Sequence, residues 1–203
     1  QLFAAVTDDQ RVIVNLLQAS RSFLTGTTEL KPKFTELPLQ GSVDDLLVTP
    51  DLRQVIVRQG NRLAIFSVSR TGTVTEQQTL TVDRRQFGPI TSMSLLAGAS
   101  SIMIGHDNGL ITQWFEVATE NGRQYKYIRQ FQAGQSAIES IVSEFYRRTF
   151  YTISKGLGVC RERRALRGSR RDHGSGIAPA AGAKGRFLRG SHRDHVHASS
   201  RLC

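Results

Sequence analysis

The sequence predicts an all-β protein, a partial β-propeller of four-stranded antiparallel blades with an irregular C-terminal tail. A repeat of about 48 residues and the strand order inside each repeat carry this prediction. Four antiparallel strands per repeat, without helical periodicity, are typical of a propeller blade. A change of composition near Lys155 separates the tail from the repeats.

Four hairpins mark the repeat, each with a tight polar turn between two apolar strands. The turns centre at Asp9, Gly60, Asn108 and Lys155, which are 51, 48 and 47 residues apart. Asp, Asn and Gly tolerate the positive φ that short hairpin turns require. The predicted turn residues are therefore Asp8, Asp9, Gly60, Asn61, Asp107, Asn108 and Gly109.

Further strands flank these hairpins and complete the blades. One begins before each of the last three hairpins, at residues 42, 89 and 137. Another follows each of the first three hairpins, at 34–39, 74–82 and 125–131. The predicted units are a blade remnant at 1–40, blades at 42–82 and 89–131, and half a blade at 137–159. These make about three and a quarter blades, an open arc with unpaired sheet edges. We therefore expect either marginal stability or edge pairing with another copy of the chain.

The hairpin IMIGHDNGLITQWFEV, at residues 102–117, resembles the WD40 consensus, and Trp114 matches the Trp at its strand end. Phe115 stands where the consensus has Asp, so the Asp-His-Ser/Thr-Trp hydrogen-bond tetrad of WD40 proteins is not expected here. The resemblance implies the propeller architecture and a divergent relative of the WD40 proteins.

Residues 40–158 are also similar to the extramembrane domain of long-form, PstC-like phosphate ABC transporter permeases of proteobacteria. The Gly-His-Asp-Asn-Gly hairpin, the Gln-Trp-Phe strand end, the Ile-Arg-Gln-Phe strand and the Glu-Phe-Tyr-Arg-Arg-Thr-Phe turn carry this likeness. It implies a non-catalytic accessory domain that contacts other subunits or domains of a phosphate transporter. The parent protein would be anchored in the bacterial inner membrane, with this domain on the periplasmic side.

A net charge of +10 by itself suggests nucleic-acid binding, but most of this charge lies in the C-terminal tail. Residues 156–203 hold eleven Lys and Arg against three Asp and Glu, so residues 1–155 carry a net charge of only +2. Nucleic acid is therefore not the favoured partner. Three interpretations of the basic Gly/Arg/His-rich tail, residues 160–203, stay open: a disordered tail, a binding tail and a frameshifted translation. Resequencing the gene tests the last.

The sequence predicts neither an enzyme nor a metal or cofactor site. His192, Asp194, His195 and His197 could bind zinc, but a Gly/Arg-rich segment orients ligands poorly. Cys160 and Cys203 could form a disulfide, although no motif pairs them.

Other residues that could suggest a site have simpler explanations. His106 and Asp107 could begin a catalytic pair, but they are more simply explained as hairpin residues. The basic pairs at 84–85 and 147–148 are predicted as solvated loop residues that could attract an anion. The alternative functions are a free-standing WD40-like scaffold and a nucleic-acid-binding protein that uses the tail.

Overall fold

The computed structural model describes residues 1–163 except residues 25, 97–100, 121, 144–148 and 157, and residues 158–163 by their backbone alone. Fourteen strands and one short helix lie in this part of the chain. They are β1 (Leu2–Val6), β2 (Val12–Arg21), β3 (Thr28–Glu36), β4 (Asp45–Val48), β5 (Gln54–Gln59), β6 (Arg62–Val68), β7 (Val74–Thr81), α1 (Arg84–Phe87), β8 (Ile90–Leu95), β9 (Ser101–His106), β10 (Leu110–Thr119), β11 (Gly122–Gln132), β12 (Ile138–Ser143), β13 (Thr149–Ser154) and β14 (Gly158–Arg163).

The strands form four antiparallel sheets that follow one another along the chain. Sheet 1 is β1-β2-β3, sheet 2 is β4-β5-β6-β7, sheet 3 is β8-β9-β10-β11, and sheet 4 is β12-β13-β14. Every neighbouring pair is a hairpin of consecutive strands, so each sheet is a meander. The all-β propeller class predicted from the repeat is confirmed.

Two strands extend beyond their predicted bounds. β14 pairs with β13 as far as Arg163, so the last sheet continues past residue 159, where the blade was expected to end. β3 begins at Thr28, whereas the sequence pattern placed its strand at 34–39. Both extensions are rich in charged residues, which obscure the apolar alternation. Their backbone groups still complete the ladder, because pairing does not depend on side-chain polarity.

Each seam between consecutive sheets is filled by its own apolar cluster. Leu2, Val12 and Val14 of sheet 1 pack against Val55 and Phe66 of sheet 2. Alternation along a strand sends the next residues of sheet 2, such as Ile56 and Ile65, into the seam with sheet 3. Sheet 3 meets sheet 4 through a third set, Met103, Ile111, Ile138, Ile141 and Phe150. Sheets 2 and 3 are therefore apolar on both faces.

The linker between sheets 2 and 3 contains α1, a single helical turn that the strand pattern did not predict. The Asp83 carboxylate caps it by accepting a hydrogen bond of 2.8 Å from the Arg85 N–H. Phe87, at its end, is buried in the seam between these sheets. The turn therefore anchors the linker against the core.

Candidate interaction surface

Asp8 and Asp9 lie in the turn between β1 and β2. Thr7 donates a hydrogen bond to the Asp9 carboxylate, and Arg11 Nε donates another of 2.6 Å. These two hydrogen bonds, that of Thr7 first, hold the pKa of Asp9 below its usual value. The positive φ of the turn falls on Gln10, at 64°, and not on either aspartate.

Gly60 and Asn61 form the turn between β5 and β6, and Gly60 has a φ of +60°. The Asn61 side chain reaches the linker that leads into sheet 3. Its amide donates to the Gly88 carbonyl at 3.0 Å, and its oxygen accepts from the Ile90 N–H at 3.2 Å. Asn61 therefore joins two blades, a role that the hairpin pattern did not predict.

Asp107, Asn108 and Gly109 lie between β9 and β10. The Asn108 amide donates to the Phe87 carbonyl at 3.2 Å, which ties this turn to α1. Gly109 has a φ of +76°, and a Cβ built there would lie 2.4 Å from the carbonyl oxygen of Gly134. Glycine is therefore required here both by the backbone conformation and by the close approach of a neighbouring loop.

Trp114 lies in the middle of β10 and not at the strand end, where the WD40 likeness placed it. The strand continues to Thr119 because β11 pairs with it along its whole length. The register shifts between Gln113 and Trp114, which leaves Ile128 of β11 as the extra residue. This bulge gives Trp114 a new partner, Tyr127, and their rings pack edge to face with centroids 5.6 Å apart.

A buried hydrogen-bond chain starts at Trp114. Its indole N–H donates to Thr112 Oγ1 at 3.0 Å, and Thr112 Oγ1 lies 3.0 Å from His106 Nε2. His106 Nδ1 lies 3.2 Å from the Gly88 carbonyl oxygen, which can only accept. The bonds are all satisfied when neutral His106 carries its proton on Nδ1 and accepts the Thr112 hydroxyl proton on Nε2.

Three residue types of the WD40 tetrad are thus bonded to one another, although the sequence did not favour the tetrad. The Gly88 carbonyl oxygen accepts the last hydrogen bond of this chain, and no Asp takes part in it. Burial is the main cause that lowers the pKa of His106, which keeps the ring neutral. Both ring nitrogens face Thr112 and Gly88, and exposed Asp107 lies in the turn, so the two residues are not bonded as a catalytic pair.

A polar clasp, made of Gln54, Gln77, Glu116 and Tyr125, joins sheets 2 and 3. Gln54 Nε2 donates to Gln77 Oε1 at 2.9 Å and to Glu116 Oε1 at 2.7 Å. The Tyr125 hydroxyl donates to Gln54 Oε1 at 2.8 Å. Burial raises the pKa of Tyr125, so the hydroxyl stays protonated as the donor. The clasp therefore links the two sheets directly through buried side chains.

The seam between sheets 3 and 4 uses a backbone carbonyl as its hydrogen-bond acceptor. The hydroxyls of Thr91 and Ser92 both donate to the Ile138 carbonyl, at 2.7 and 2.8 Å. Gly105 permits this approach, because a Cβ there would lie 2.7 Å from Ile138 side-chain atoms. These two strands, β8 and β12, therefore meet with little space between them.

The outward face of sheet 1 differs from these seams, because no described element covers it. We name it the open face. Phe3, Asn15 and Phe34 form one cross-strand row of it. Strand alternation places mainly apolar residues beside this row, namely Ala5, Ile13, Leu17, Ala19, Leu30 and Pro32. Phe3 is 51% exposed, Leu30 63% and Phe34 64%.

Asn15 lies at the centre of the open face and is only 3% exposed. Its Oδ1 has no hydrogen-bond partner among the described residues. A buried amide oxygen without a donor is costly. Because this oxygen is itself buried, the accessible part of the open face at this row consists of the two aromatic rings beside it.

A second apolar feature is the tip of the β2–β3 hairpin. Phe23 and Leu24 are almost fully exposed there. Arg21, Lys31 and Lys33 lie on the strands that lead to this tip. The tip projects beyond the paired strands and belongs to the same sheet as the open face. Sheet 1 therefore carries the main concentration of exposed apolar side chains found in the described residues.

The other residues considered in the sequence have less definite surroundings. Arg84 and Arg85 form the first turn of α1 and are exposed. Residues 147–148 and 164–203, with the candidate His and Asp ligands and Cys203, lie outside the described residues, as does the Cys160 side chain. Within the described ranges, no cluster of three potential metal ligands occurs. No helix in this part of the chain is long and apolar enough to cross a bilayer.

No protein-family model and no curated protein matches the sequence. Solved structures do match the fold. The β-propeller domain of Cps50 (Swd1) from Myceliophteria thermophila is 11% identical, with a TM-score of 0.54, over 79% of this chain and 46% of that one. Sqt1 from Chaetomium thermophilum is 15% identical, with a TM-score of 0.52, over 79% of this chain and 39% of that one. A candidate 6-phosphogluconolactonase from Bacteroides fragilis is 10% identical, with a TM-score of 0.54, over 81% of this chain and 51% of that one.

These likenesses indicate a WD40-like β-propeller fold for this chain and, at such low identity, the fold alone. The chain spans about half the length of the structures it matches, since they are covered to 46%, 39% and 51%. The four consecutive sheets of this chain thus match part of each of these structures.

Proposed function

We propose that this chain is a non-catalytic propeller module that acts through protein–protein contacts. The open face of sheet 1 carries the proposal. It combines exposed Phe3 and Phe34 with a buried, unsatisfied Asn15 oxygen, and an exposed apolar face of this kind is typical of a contact surface. The seams and the polar clasp hold the sheets behind it, so the surface is presented by a packed scaffold.

The more specific proposal is an accessory domain of a phosphate ABC transporter permease subunit. It is supported by the sequence likeness over residues 40–158, which include the hairpin of β9 and β10 with Trp114. The partners would be other subunits or domains of the transporter. The parent protein would lie in the bacterial inner membrane and present this domain to the periplasm.

The test uses the full-length protein encoded by the gene that contains this sequence. We expect it to fractionate with the inner membrane and to co-purify, in detergent, with the ATP-binding subunit of a phosphate transporter. Replacing the codons for residues 1–163 by a short flexible linker should lower the uptake of labelled inorganic phosphate. A full-length protein found in the soluble fraction, without transporter subunits, would reject the transporter proposal in favour of a free-standing scaffold.

The nucleic-acid alternative depends on residues 160–203, whose side chains lie outside the described residues. The control is a chain truncated after Arg163, compared with the full chain for binding to a labelled duplex at two salt concentrations. Equal and weak binding by both would reject a nucleic-acid function of the tail, whereas salt-sensitive binding by the full chain alone would support it.

A further inference from the structure

We propose that the tip of the β2–β3 hairpin is a membrane-contact site. Phe23 and Leu24 enter the headgroup region of an anionic lipid bilayer, and Arg21 and Lys31, on the strands behind them, contact the lipid phosphates. This site does not require a role in phosphate transport, because only the hairpin touches the lipid.

The hairpin projects beyond the neighbouring sheet 2. The turn between β6 and β7 packs against one pair of its residues, since Lys33 Nζ donates to the Thr71 carbonyl at 2.8 Å. A Cβ built at Gly72 would lie 2.9 Å from Lys33 and 3.2 Å from Leu16, which is the partner of Lys33 in the ladder. From this pair the ladder continues for five more pairs, as far as Arg21. At a rise of about 3.4 Å per residue, the hairpin extends roughly 17 Å along its own strands beyond this contact before its turn begins.

The turn at the tip shares its hydrogen-bond frame with the turn between β6 and β7. The Ser22 N–H donates to the Thr27 carbonyl, and the Gly26 N–H donates to the Ser22 carbonyl, both at 2.9 Å. The matching bonds in sheet 2, of 2.9 and 3.0 Å, join Ser69, Thr73 and Gly72. Both glycines have a positive φ, 67° at the tip and 74° in sheet 2. This backbone frame therefore needs no apolar side chain to close it.

The residues inside the two frames differ in chemistry. Sheet 2 has Arg70 after its Ser, whereas the tip has the apolar pair Phe23 and Leu24 and is one residue longer. Both apolar side chains are almost fully exposed, so they gain nothing from burial within the described residues. Contact with another molecule gives this pair a role that the fold does not.

A lipid bilayer suits the tip better than a groove on a protein does. A stable protein–protein interface buries about 800 Å² on each partner, which is more than two side chains on a narrow hairpin offer. The interface of a bilayer takes up small apolar elements to a depth of about 5–10 Å. A tip that projects roughly 17 Å reaches that depth before sheet 2 meets the lipid surface.

Cations lie on the strands just behind the tip. Arg21 is two residues before Phe23, and alternation along the paired strands places Lys31 on the opposite face of the hairpin. Residues 20–33 hold three cations and one anion, Glu29, which lies 3.8 Å from Lys31. Because an exposed ion pair of this kind is weak, the hairpin presents a net charge of +2 to anionic lipid. Long Arg and Lys side chains can follow the strands to the level of the phosphates.

Co-flotation of the full 203-residue chain with lipid vesicles tests the apolar contact. The vesicles contain phosphatidylcholine and phosphatidylglycerol. We expect the double variant Phe23→Ser, Leu24→Ser to bind them at least about tenfold more weakly than the wild type. Ile128→Ser, at a half-exposed position of β11, is the matched control and should bind as the wild type does. Residues 156–203 carry a net charge of +8 in every variant, so their attraction to anionic lipid is common to all.

A thermal transition equal to that of the wild type verifies that the double variant is folded, as the exposure of both positions predicts. Equal binding by the folded double variant and the wild type would overturn the proposal, and so would a wild type that does not bind these vesicles.

The depth of insertion is a second readout. Phe23→Trp adds an indole at the tip, whereas the native Trp114 is buried in the seam between sheets 2 and 3. Lipids brominated near the top of their acyl chains should quench the added emission of Phe23→Trp and leave the emission of the wild type unchanged. Vesicle-bound Phe23→Trp without this quenching would overturn the proposal, because the tip would then lie outside the bilayer.

The charged strands have their own matched pair of variants. Arg21→Gln should weaken binding to the anionic vesicles about fivefold and leave binding to phosphatidylcholine alone unchanged. Arg70→Gln removes an exposed cation from the shorter turn of sheet 2. Because that turn lies farther from the lipid than a Debye length of about 8–10 Å, its effect should be less than about twofold. Equal effects of the two changes would overturn the proposal, because the overall charge and not the hairpin would then carry the attraction.

Discussion

The seam between sheets 2 and 3 and the open face of sheet 1 are built from the same kind of residue but have opposite surroundings. Both are faces of alternating strands rich in apolar side chains. In the seam, Ile56, Ile65 and Ile104 are fully buried, whereas Phe3 and Phe34 on the open face are more than half exposed. The comparison shows that apolar alternation produces a strand face suited to burial. That face is buried only where a neighbouring sheet packs on it.

The polar groups of these two regions differ in the same way. In the seam, the clasp satisfies Gln54 with Gln77, Glu116 and Tyr125. On the open face, the buried oxygen of Asn15 has no donor among the described residues. Gln54 in the seam is thus bonded by groups of both sheets, whereas Asn15 has no second sheet beside it. Substitutions in sheets 2 and 3 therefore test how much buried side chains, turns and hydrogen bonds contribute to the free energy of unfolding.

The largest effect is expected from Ile104→Ala in the seam between sheets 2 and 3. Ile104 is fully buried, and removing three carbons there leaves a cavity. We expect the free energy of unfolding to fall by about 2–5 kcal/mol. Ile128→Ala, at a half-exposed position of β11, is the control and should change it by less than about 0.5 kcal/mol. Urea denaturation measures both, and equal losses would show that the seam is not the stabilising core.

The next largest effect is expected in the turn between β9 and β10. Gly109→Ala combines a φ of +76° with a Cβ placed 2.4 Å from the Gly134 carbonyl oxygen. Gly60→Ala has a similar φ of +60° but no atom within 4 Å of the new Cβ. We expect about 1 kcal/mol of lost stability at Gly60 and about 1–3 kcal/mol more at Gly109. Matching losses in thermal unfolding would show that the loop around Gly134 yields to the new side chain.

Tyr125→Phe tests the clasp, with Tyr127→Phe as its control. Removing the buried Tyr125 hydroxyl leaves Gln54 Oε1 without its donor, which should cost about 1–3 kcal/mol. The Tyr127 hydroxyl bonds exposed Gln130, where water can replace it. A chemical denaturation curve for Tyr125→Phe that overlays that of Tyr127→Phe would contradict an energetic role for the clasp.

The smallest effect is a pH dependence that His106 produces. Burial lowers its pKa in the folded protein below the ordinary value of 6.5, so the unfolded chain binds the proton more tightly. The stabilising contribution is present above that value and is lost as the pH falls through the folded-state pKa.

The readout is the difference in unfolding free energy between about pH 7.5 and about pH 5, measured for wild type and for His106→Gln. We expect the variant to lose less stability on acidification. The remaining four His, all at 173 or beyond, are present in both proteins and act as an internal control. Equal acid sensitivity of the two proteins would mean that His106 titrates normally.

Much of the fold could be predicted because turn chemistry and strand alternation are local. The hairpin of β9 and β10 illustrates this, since Asp107, Asn108 and Gly109 mark a turn in any surroundings. The place of Trp114 within its strand could not be predicted in this way, because the bulge opposite Ile128 depends on where β11 pairs. α1 escaped prediction for a similar reason, since one helical turn has almost no periodicity.

The site was less predictable than the fold. Phe3, Asn15 and Phe34 are separated by twelve and nineteen residues and meet only through the register of three strands. One signal was available: β1 and most of β2 are apolar at both odd and even positions, as in strands that are covered on two sides. β3 gives no such signal, because Lys31, Lys33 and Thr35 occupy one of its faces. The sequence pattern alone does not say which of those faces lacks a neighbour.

The sequence by itself determined the strand order, the hairpin turns and the two-faced apolar character of the sheets, because these depend on residues close together in the chain. Only the tertiary structure decided that His106, Thr112, Trp114 and the Gly88 carbonyl form one hydrogen-bond chain, that Gln54 joins the clasp, and that the first sheet has an uncovered face. The physical reason is that buried hydrogen bonds and seams join residues of different strands and blades. Their partners are selected by register and packing, which no local pattern encodes.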